Sequence, residues 1–342
     1  MNTVLVTGPA GFLGYHVIKL LNDRGVKPRA LIEASDSALS DPKTKKAMEA
    51  LRTLDVEEVM GDYDDLSSLQ AACEGVDTLF HLKFCINMGD GEAVEKQLHE
   101  QNVVATRNML DAATAEGVDR ILVSSSVLTI GLNPEPEPLK ETADWDKYRF
   151  NLPYALSRRQ AEQEALARPS GEELPVVSVV NPSFTLGPED FVGAPANLLL
   201  DKMSNFWFRF TAPNGFSILD VRDYADGALK AAEKGLHGQR YILSGPNINS
   251  YLLLKEAAAV DGREAPKWLL PIPVWFVSLL TKVLAKVKKK PWPKGSPSIT
   301  ELWGKHAWYN TDLARNELGW ETRPLRETVE DSLRWRRENA SK

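Results

Sequence analysis

The chain has 342 residues and a net charge of −6, from 41 basic and 47 acidic side chains spread along its length. That balance excludes a broad basic face, so no nucleic-acid partner is expected. The only cysteines, Cys73 and Cys85, are too few for a disulfide framework and lack the paired spacing of a zinc site, which predicts reduced thiols.

The length predicts about two domains. The N-terminus opens on a strand-like run, NTVLVTG, without the pattern of a secretory signal, so a cytoplasmic protein is expected. TVLVT (3–7) precedes a predicted helix from about Phe12 to Arg24 that stops at Gly25, and PRALIE (28–33) supplies a second strand. A charged helix near 42–54 leads to VEEVMG, and DDLSSLQAACEG reads as a capped helix ending at Gly75. VDTLFHL (76–82), a long helix from roughly Ala93 to Glu116, and DRILVSSS (119–126) follow. NLPYALSRRQAE (151–162) opens another helix, and PVVSVVNPS (175–183) reads as a buried strand. A strand-and-helix unit at 216–235 and a strand at 238–245 complete the alternation. Apolar strands alternating with helices imply an α/β, doubly wound, Rossmann-type parallel sheet covered on both faces. Residues 1–182 and 216–245 are assigned to that domain. The Pro- and Trp-rich pieces 183–215 and 246–342 form a smaller, discontinuous C-terminal substrate lobe.

TGPAGFLG places Gly8, Gly11 and Gly14 between the first strand and its helix. Glycines there permit a tight turn and close backbone approach to a pyrophosphate, while the helix N-terminus attracts its charge. The spacing is G-x-x-G-x-x-G rather than the general G-x-G-x-x-G, and the context predicts dinucleotide binding. Glu33 ends the second strand nineteen residues after Gly14, near the distance at which a carboxylate takes the adenosine ribose hydroxyls. It would repel a 2′-phosphate, which favours NAD(H) over NADP(H). A solvated glutamate beside Lys27 and Arg29 is the alternative. Tyr154 and Arg158 stand four residues apart on one helix face, either as a proton donor with its electrostatic partner or as a plain surface pair.

The ordered motifs TGPAGFLG, GDYDDLSSL, HL at 81–82, QNVVATRNMLDAA, SSSVLTIG, PYALSR, NPSFTLGPED, LDVRDYADG and LARNELGW resemble the extended short-chain dehydrogenase/reductases over nearly the whole chain. The nearest subgroup is similar to the dihydroflavonol reductases, hydroxysteroid dehydrogenases and hopanoid-associated epimerases. The resemblance implies a catalytic set of Ser126 (with Ser125 as alternative), Tyr154 and Arg158. It implies cofactor contacts from Gly8, Gly11, Phe12, Leu13, Gly14, Glu33, Asp62, Tyr63, Leu82, Lys83, Asn102, Ser124, Tyr154, Arg158, Asn181, Pro182 and Ser183. A phenol of pKa about 10 is lowered by roughly 1 to 3 units beside a cation, which would make the phenolate accessible. Two positions depart from the family pattern. Its lysine is Arg158, which keeps the charge but replaces a compact ammonium with a wide planar fork. Its HLAA reads HLKF, and Lys83 is a candidate to reach the nicotinamide and supply the missing ammonium, against a lysine pointing into solvent.

Sugar-nucleotide epimerases of the superfamily grip a pyrophosphate with arginines, and a position resembling one of them is Phe216 here. Phe184, Phe191, Phe206, Trp207, Phe208, Trp268, Trp275, Phe276 and Trp303 offer aromatic area suited to an apolar substrate. The amphipathic run 274–290, ending in three lysines, is read first as a core-packing helix, with pocket cover or peripheral membrane contact as alternatives. It is too short and interrupted to span a bilayer. The histidines show no ligand spacing, so no metal is assigned. The expected activity interconverts a ketone and a secondary alcohol on a largely apolar small molecule. The rivals are a sugar epimerase or dehydratase and a cofactor-binding sensor that has lost catalysis. A homodimer through the helices near 93–116 and 153–168 is the expected assembly.

Overall fold

Seven parallel strands carry the larger sheet: β1 (Val4–Thr7), β2 (Arg29–Glu33), β3 (Glu57–Gly61), β4 (Thr78–His81), β5 (Arg120–Ser124), β6 (Val176–Pro182) and, after the smaller lobe's first strands, β10 (Arg240–Leu243). Their order is β10-β6-β5-β4-β1-β2-β3. The chain winds outward from β1 in one direction through β2 and β3, and in the other from β4 onward. The reversal lies between β1 and β4, where an open α/β sheet has its ligand crevice. The computed structural model describes residues 1–33, 42–204, 210–211, 215–260, 262–265, 270–271 and 304–339.

The β-branched and aliphatic runs form these strands because both faces are covered. Along β1, Val4 and Val6 enter one core while Leu5 enters the other, the two-residue alternation of a pleated strand. Helices Phe12–Asp23 and Val221–Lys234 close the first face. Leu66–Cys73, Ala105–Ala115 and the end of Pro153–Leu166 close the second. The long helix expected near 93–116 is instead two α-helical pieces, Glu92–Leu98 and Ala105–Ala115, joined by a π-helical stretch His99–Val104.

The smaller sheet is built from β7 (Phe184–Leu186), β9 (Gly215–Asp220), β11 (Asn247–Asn249) and β13 (His306–Ala307), in the order β11-β9-β13 with β7 also on β9. Two short strands, β8 (Phe210–Thr211) and β12 (Leu270–Pro271), pair in parallel. The unit expected at 216–235 is therefore split. Its strand serves the small sheet, while its helix packs on the large one. Hydrophobic periodicity reveals both elements but cannot reveal which sheet a strand joins. The run 274–290, with Phe206, Trp207, Phe208, Trp268, Trp275, Phe276 and Trp303, lies outside the described residues. Among those described, no helix is long and apolar enough to cross a membrane.

Candidate active site

The glycine turn leaves β1 at the switch point. Gly8 has φ +65°, and a β-carbon there would lie 3.0 Å from the Lys83 Cα; one on Gly14 would lie 2.2 Å from the Gly8 carbonyl oxygen. Helix and turn thus meet backbone to backbone, as only glycine allows. Gly11 caps the helix without a side-chain acceptor. The first amides of that helix, including those of Phe12 and Leu13, are thereby left for an anion. Thr7, the last residue of β1, ties the two central strands together: its hydroxyl oxygen accepts from the amides of Leu82 (3.0 Å) and Lys83 (3.1 Å) and meets His81 Nδ1 at 3.1 Å. Burial, with Arg158's charge nearby, pushes His81 down to about 3, so this ring is a neutral strut.

At the adenosine end, Glu33 sits opposite Gly61 in register, with Asp62 and Tyr63 following on the next turn. Asp62 is exposed and organises that turn, its carboxylate accepting from the Asp64 amide at 2.9 Å. Glu33 is not solvated alone. Its carboxylate is paired with the Lys83 ammonium, which also lies 4.7 Å from the Tyr63 ring centroid. Burial pushes Lys83 down to about 8, with the nearby Cys85 opposing that in part. The expectation that Lys83 reaches the nicotinamide in place of the family lysine is corrected: its stem runs toward β2 and β3.

The reaction end lies beyond β5. The hydroxyl of Ser125 donates to Glu162 at 2.6 Å, which commits it. Ser126 caps a short 3-10 turn by accepting from the Leu128 amide at 3.2 Å, so its proton remains to be donated. The Ser125 proton is thus committed and the Ser126 proton is not. Tyr154 and Arg158 share the buried face of Pro153–Leu166. The Arg158 guanidinium, only 1% exposed, donates to the Ser124 carbonyl and lies 4.7 Å from the Phe84 ring centroid. The two departures from HLAA thus have separate partners, Lys83 with Glu33 and Phe84 with Arg158. Burial raises the Tyr154 phenol, and the Arg158 charge offsets only part of that rise. The expected net lowering of the phenol is therefore reversed by desolvation, which suits Tyr154 to giving a proton.

Sequence reasoning missed Glu162, although it stands four residues past Arg158 on the same face. It is 1% exposed and accepts from Ser125, Thr129 and Asn181, each at 2.6 Å, and from Arg240 at 2.9 Å. One carboxylate therefore anchors the ends of β5 and β6 beneath Ser126. Asn102, in the π-helical stretch, accepts from the Cys85 amide (2.7 Å) and donates to the Cys85 carbonyl and Ser157 Oγ. Its side chain clamps the segment after β4 rather than facing the groove. Pro182 closes β6, and the buried Ser183 hydroxyl next to it has no partner among the described residues, nor have Arg158 Nε and Asn181 Oδ1. Buried polar atoms are normally satisfied. These orphans at the ends of β5 and β6, with the glycine cradle, fit a polar dinucleotide. No cluster of metal-ligating side chains occurs among the described residues.

A doubly wound sheet with a glycine turn at its switch point and a tyrosine–cation pair beside a strand-end serine defines an extended short-chain dehydrogenase/reductase. The chain belongs to the NAD dependent epimerase/dehydratase family, whose model matches residues 4–244. It is 30% identical over 343 residues (96% of this chain, 93% of the relative) to a Synechocystis sp. protein provisionally named a dihydroflavonol 4-reductase. It is 27% identical over 348 residues, 98% of each chain, to sterol demethylase protein B of Methylococcus capsulatus. The crystal structure of gox2253 superposes with a TM-score of 0.81 at 29% identity, covering 99% of both chains. The protein is an NAD-dependent enzyme of the oxidoreductase and epimerase/dehydratase class.

Proposed function

We propose that this enzyme interconverts a ketone and a secondary alcohol on a largely apolar small molecule, using NAD(H) in preference to NADP(H). One observation carries the reading: the Arg158 guanidinium, buried on one helix face with Tyr154, bonds the Ser124 carbonyl at the end of β5, two residues before Ser126, whose proton is free. In reduction, Ser126 donates a hydrogen bond to the carbonyl oxygen and Tyr154 gives it the proton. Arg158 keeps positive charge beside the developing phenolate, which lowers the cost of that transfer. The glycine turn and the first amides of helix Phe12–Asp23 would hold the pyrophosphate, Glu33 the adenosine ribose and Asp62 the adenine side. Bound NAD(H) supplies or accepts the hydride.

The apolar preference is supported by the smaller lobe. Phe216, which takes the position of a pyrophosphate-gripping arginine, stacks edge to face on Phe184 at 5.3 Å, and Phe184 packs against the cluster that contains Tyr154. Two relatives named for a flavonoid and a sterol agree with it. The cofactor half is 1–182 with 221–245, the small-sheet strand Gly215–Asp220 being assigned to the substrate lobe. The homodimer proposal rests on helices Glu92–Leu98, Ala105–Ala115 and Pro153–Leu166, the last carrying an exposed Leu156.

The test is a titration with NADH and NADPH followed by nicotinamide fluorescence, then turnover against a ketone and alcohol panel. Tighter NADH binding with consumption of cofactor is expected. Product formed with cofactor returned unchanged would move the assignment to an epimerase. Turnover that arises only in Arg158→Lys would move it to a sensor.

A further inference from the structure

We propose that Lys83 sets how strongly this chain distinguishes the two nicotinamide dinucleotides, by neutralising Glu33 and by presenting an ammonium to a ribose 2′-phosphate. The inference rests on the cofactor reading above and adds a determinant that the strand-end carboxylate alone does not provide.

Three observations converge on it. Lys83 leaves β4 at the switch point, its amide held by Thr7 and its Cα packed on Gly8, so its origin is fixed beside the phosphate-binding turn. Its ammonium is paired with Glu33 and lies over the Tyr63 ring, which holds the side chain across the adenosine end of the groove. The two cations nearest to Glu33 in sequence are committed elsewhere. Arg29 donates to the carbonyls of Ala72 and Glu74 and faces Glu57, and Lys27 pairs with Asp55.

A bare carboxylate at the end of β2 accepts the ribose hydroxyls and repels a 2′-phosphate. With an ammonium on it, the pair brings no net charge to the pocket. The hydroxyls of NAD(H) must then compete with Lys83 for Glu33, which weakens their hold. A 2′-phosphate, with a charge of about −1.5 to −2, finds a direct partner instead. Lysine suits this exchange because its ammonium is a compact point charge on a flexible stem. Discrimination is accordingly narrow in the parent and wide without Lys83.

The experiment titrates NADH and NADPH into the parent, Lys83→Met and Lys83→Ala at one low ionic strength, with circular dichroism confirming the fold. In both variants NADH is expected to bind more tightly and NADPH more weakly. The ratio of their dissociation constants should rise by about tenfold or more. Lys83→Arg should keep the parental ratio. Glu33→Gln should move it the opposite way, and supplies a second reading if the Lys83 variants do not fold. A ratio within about twofold of the parent's in folded variants overturns the role of Lys83 and leaves NAD binding intact. Binding of neither dinucleotide by the folded parent overturns the cofactor reading and this inference with it.

Discussion

The two ends of the groove hold their charges in opposite ways. At the adenosine end, Glu33 and Lys83 are half-buried, and each has the other as its charged partner. At the reaction end, Arg158 and Glu162 are each 1% exposed; Glu162 accepts hydrogen bonds from several elements, and Arg158 is held by the Ser124 carbonyl and the Phe84 ring. The first arrangement can exchange partners when a ligand arrives, because water already shares the solvation of both groups. The second resists exchange, because its charges are buried and depend on protein partners alone. On the function proposed above, recognition falls where rearrangement is cheap and proton transfer where the geometry is rigid.

The largest expected effect lies at the rigid end. Tyr154→Phe should lower kcat by roughly 10²- to 10⁴-fold while leaving NADH affinity unchanged, read by steady-state kinetics beside fluorescence titration. A smaller loss would remove Tyr154 as the proton donor. The pH profile sharpens the same point. A phenol raised by burial stays protonated through neutral pH, so the reduction rate should be flat across neutral pH and fall only above the ordinary phenol range, whereas alcohol oxidation should climb with pH.

Glu162→Ala should cost about 3 kcal/mol of stability in urea unfolding, because it removes the shared acceptor of three buried neutral donors and of the half-buried Arg159 and Arg240. A change below about 1 kcal/mol would mean that the network relaxes, and the contrast between the two ends would fail.

The buried histidines predict that stability also falls in acid. Burial lowers His81 to about 3 and His16 to about 4, so the unfolded chain takes up these protons first as pH falls. Their contribution is complete above about pH 6.5 and shrinks toward pH 4, by roughly 1.4 kcal/mol per unit for each histidine. Unfolding curves that coincide at pH 6.5 and 5 would refute this.

The smallest effect is the coupling between the two departures at the reaction end. A double-mutant cycle of Arg158→Lys and Phe84→Ala should give about 1 kcal/mol, the scale of a buried cation–π contact. No coupling would mean that Phe84 merely fills space.

Much of this was legible in the chain itself. The strands and helices of the larger sheet followed from apolar periodicity and glycine punctuation, because a strand buried on both faces has no choice but to be apolar throughout. The phosphate turn followed from three glycines between a strand and a helix. Helical spacing put Tyr154 and Arg158 on one face and the family resemblance gave them their expected roles; the same spacing carried Glu162, which was readable as the next residue on that face. The resemblance ranked Ser126 ahead of Ser125, but that the Ser125 hydroxyl is taken up by a carboxylate 37 residues away in the chain was not readable.

Sequence by itself determined the class of fold and put the glycine turn between a strand and a helix, because both are encoded in local spacing; the tyrosine–cation pair was a shared helix face whose expected role came from the ordered motifs around it. Tertiary structure alone decided where the charges go. Lys83 meets a carboxylate fifty residues away and Phe84 a guanidinium on another helix, while strand Gly215–Asp220 joins a sheet other than the one its helix covers. The sign of the shift at Tyr154 belongs here too: the chain shows the arginine that lowers the phenol, but only the packed core shows the desolvation that outweighs it.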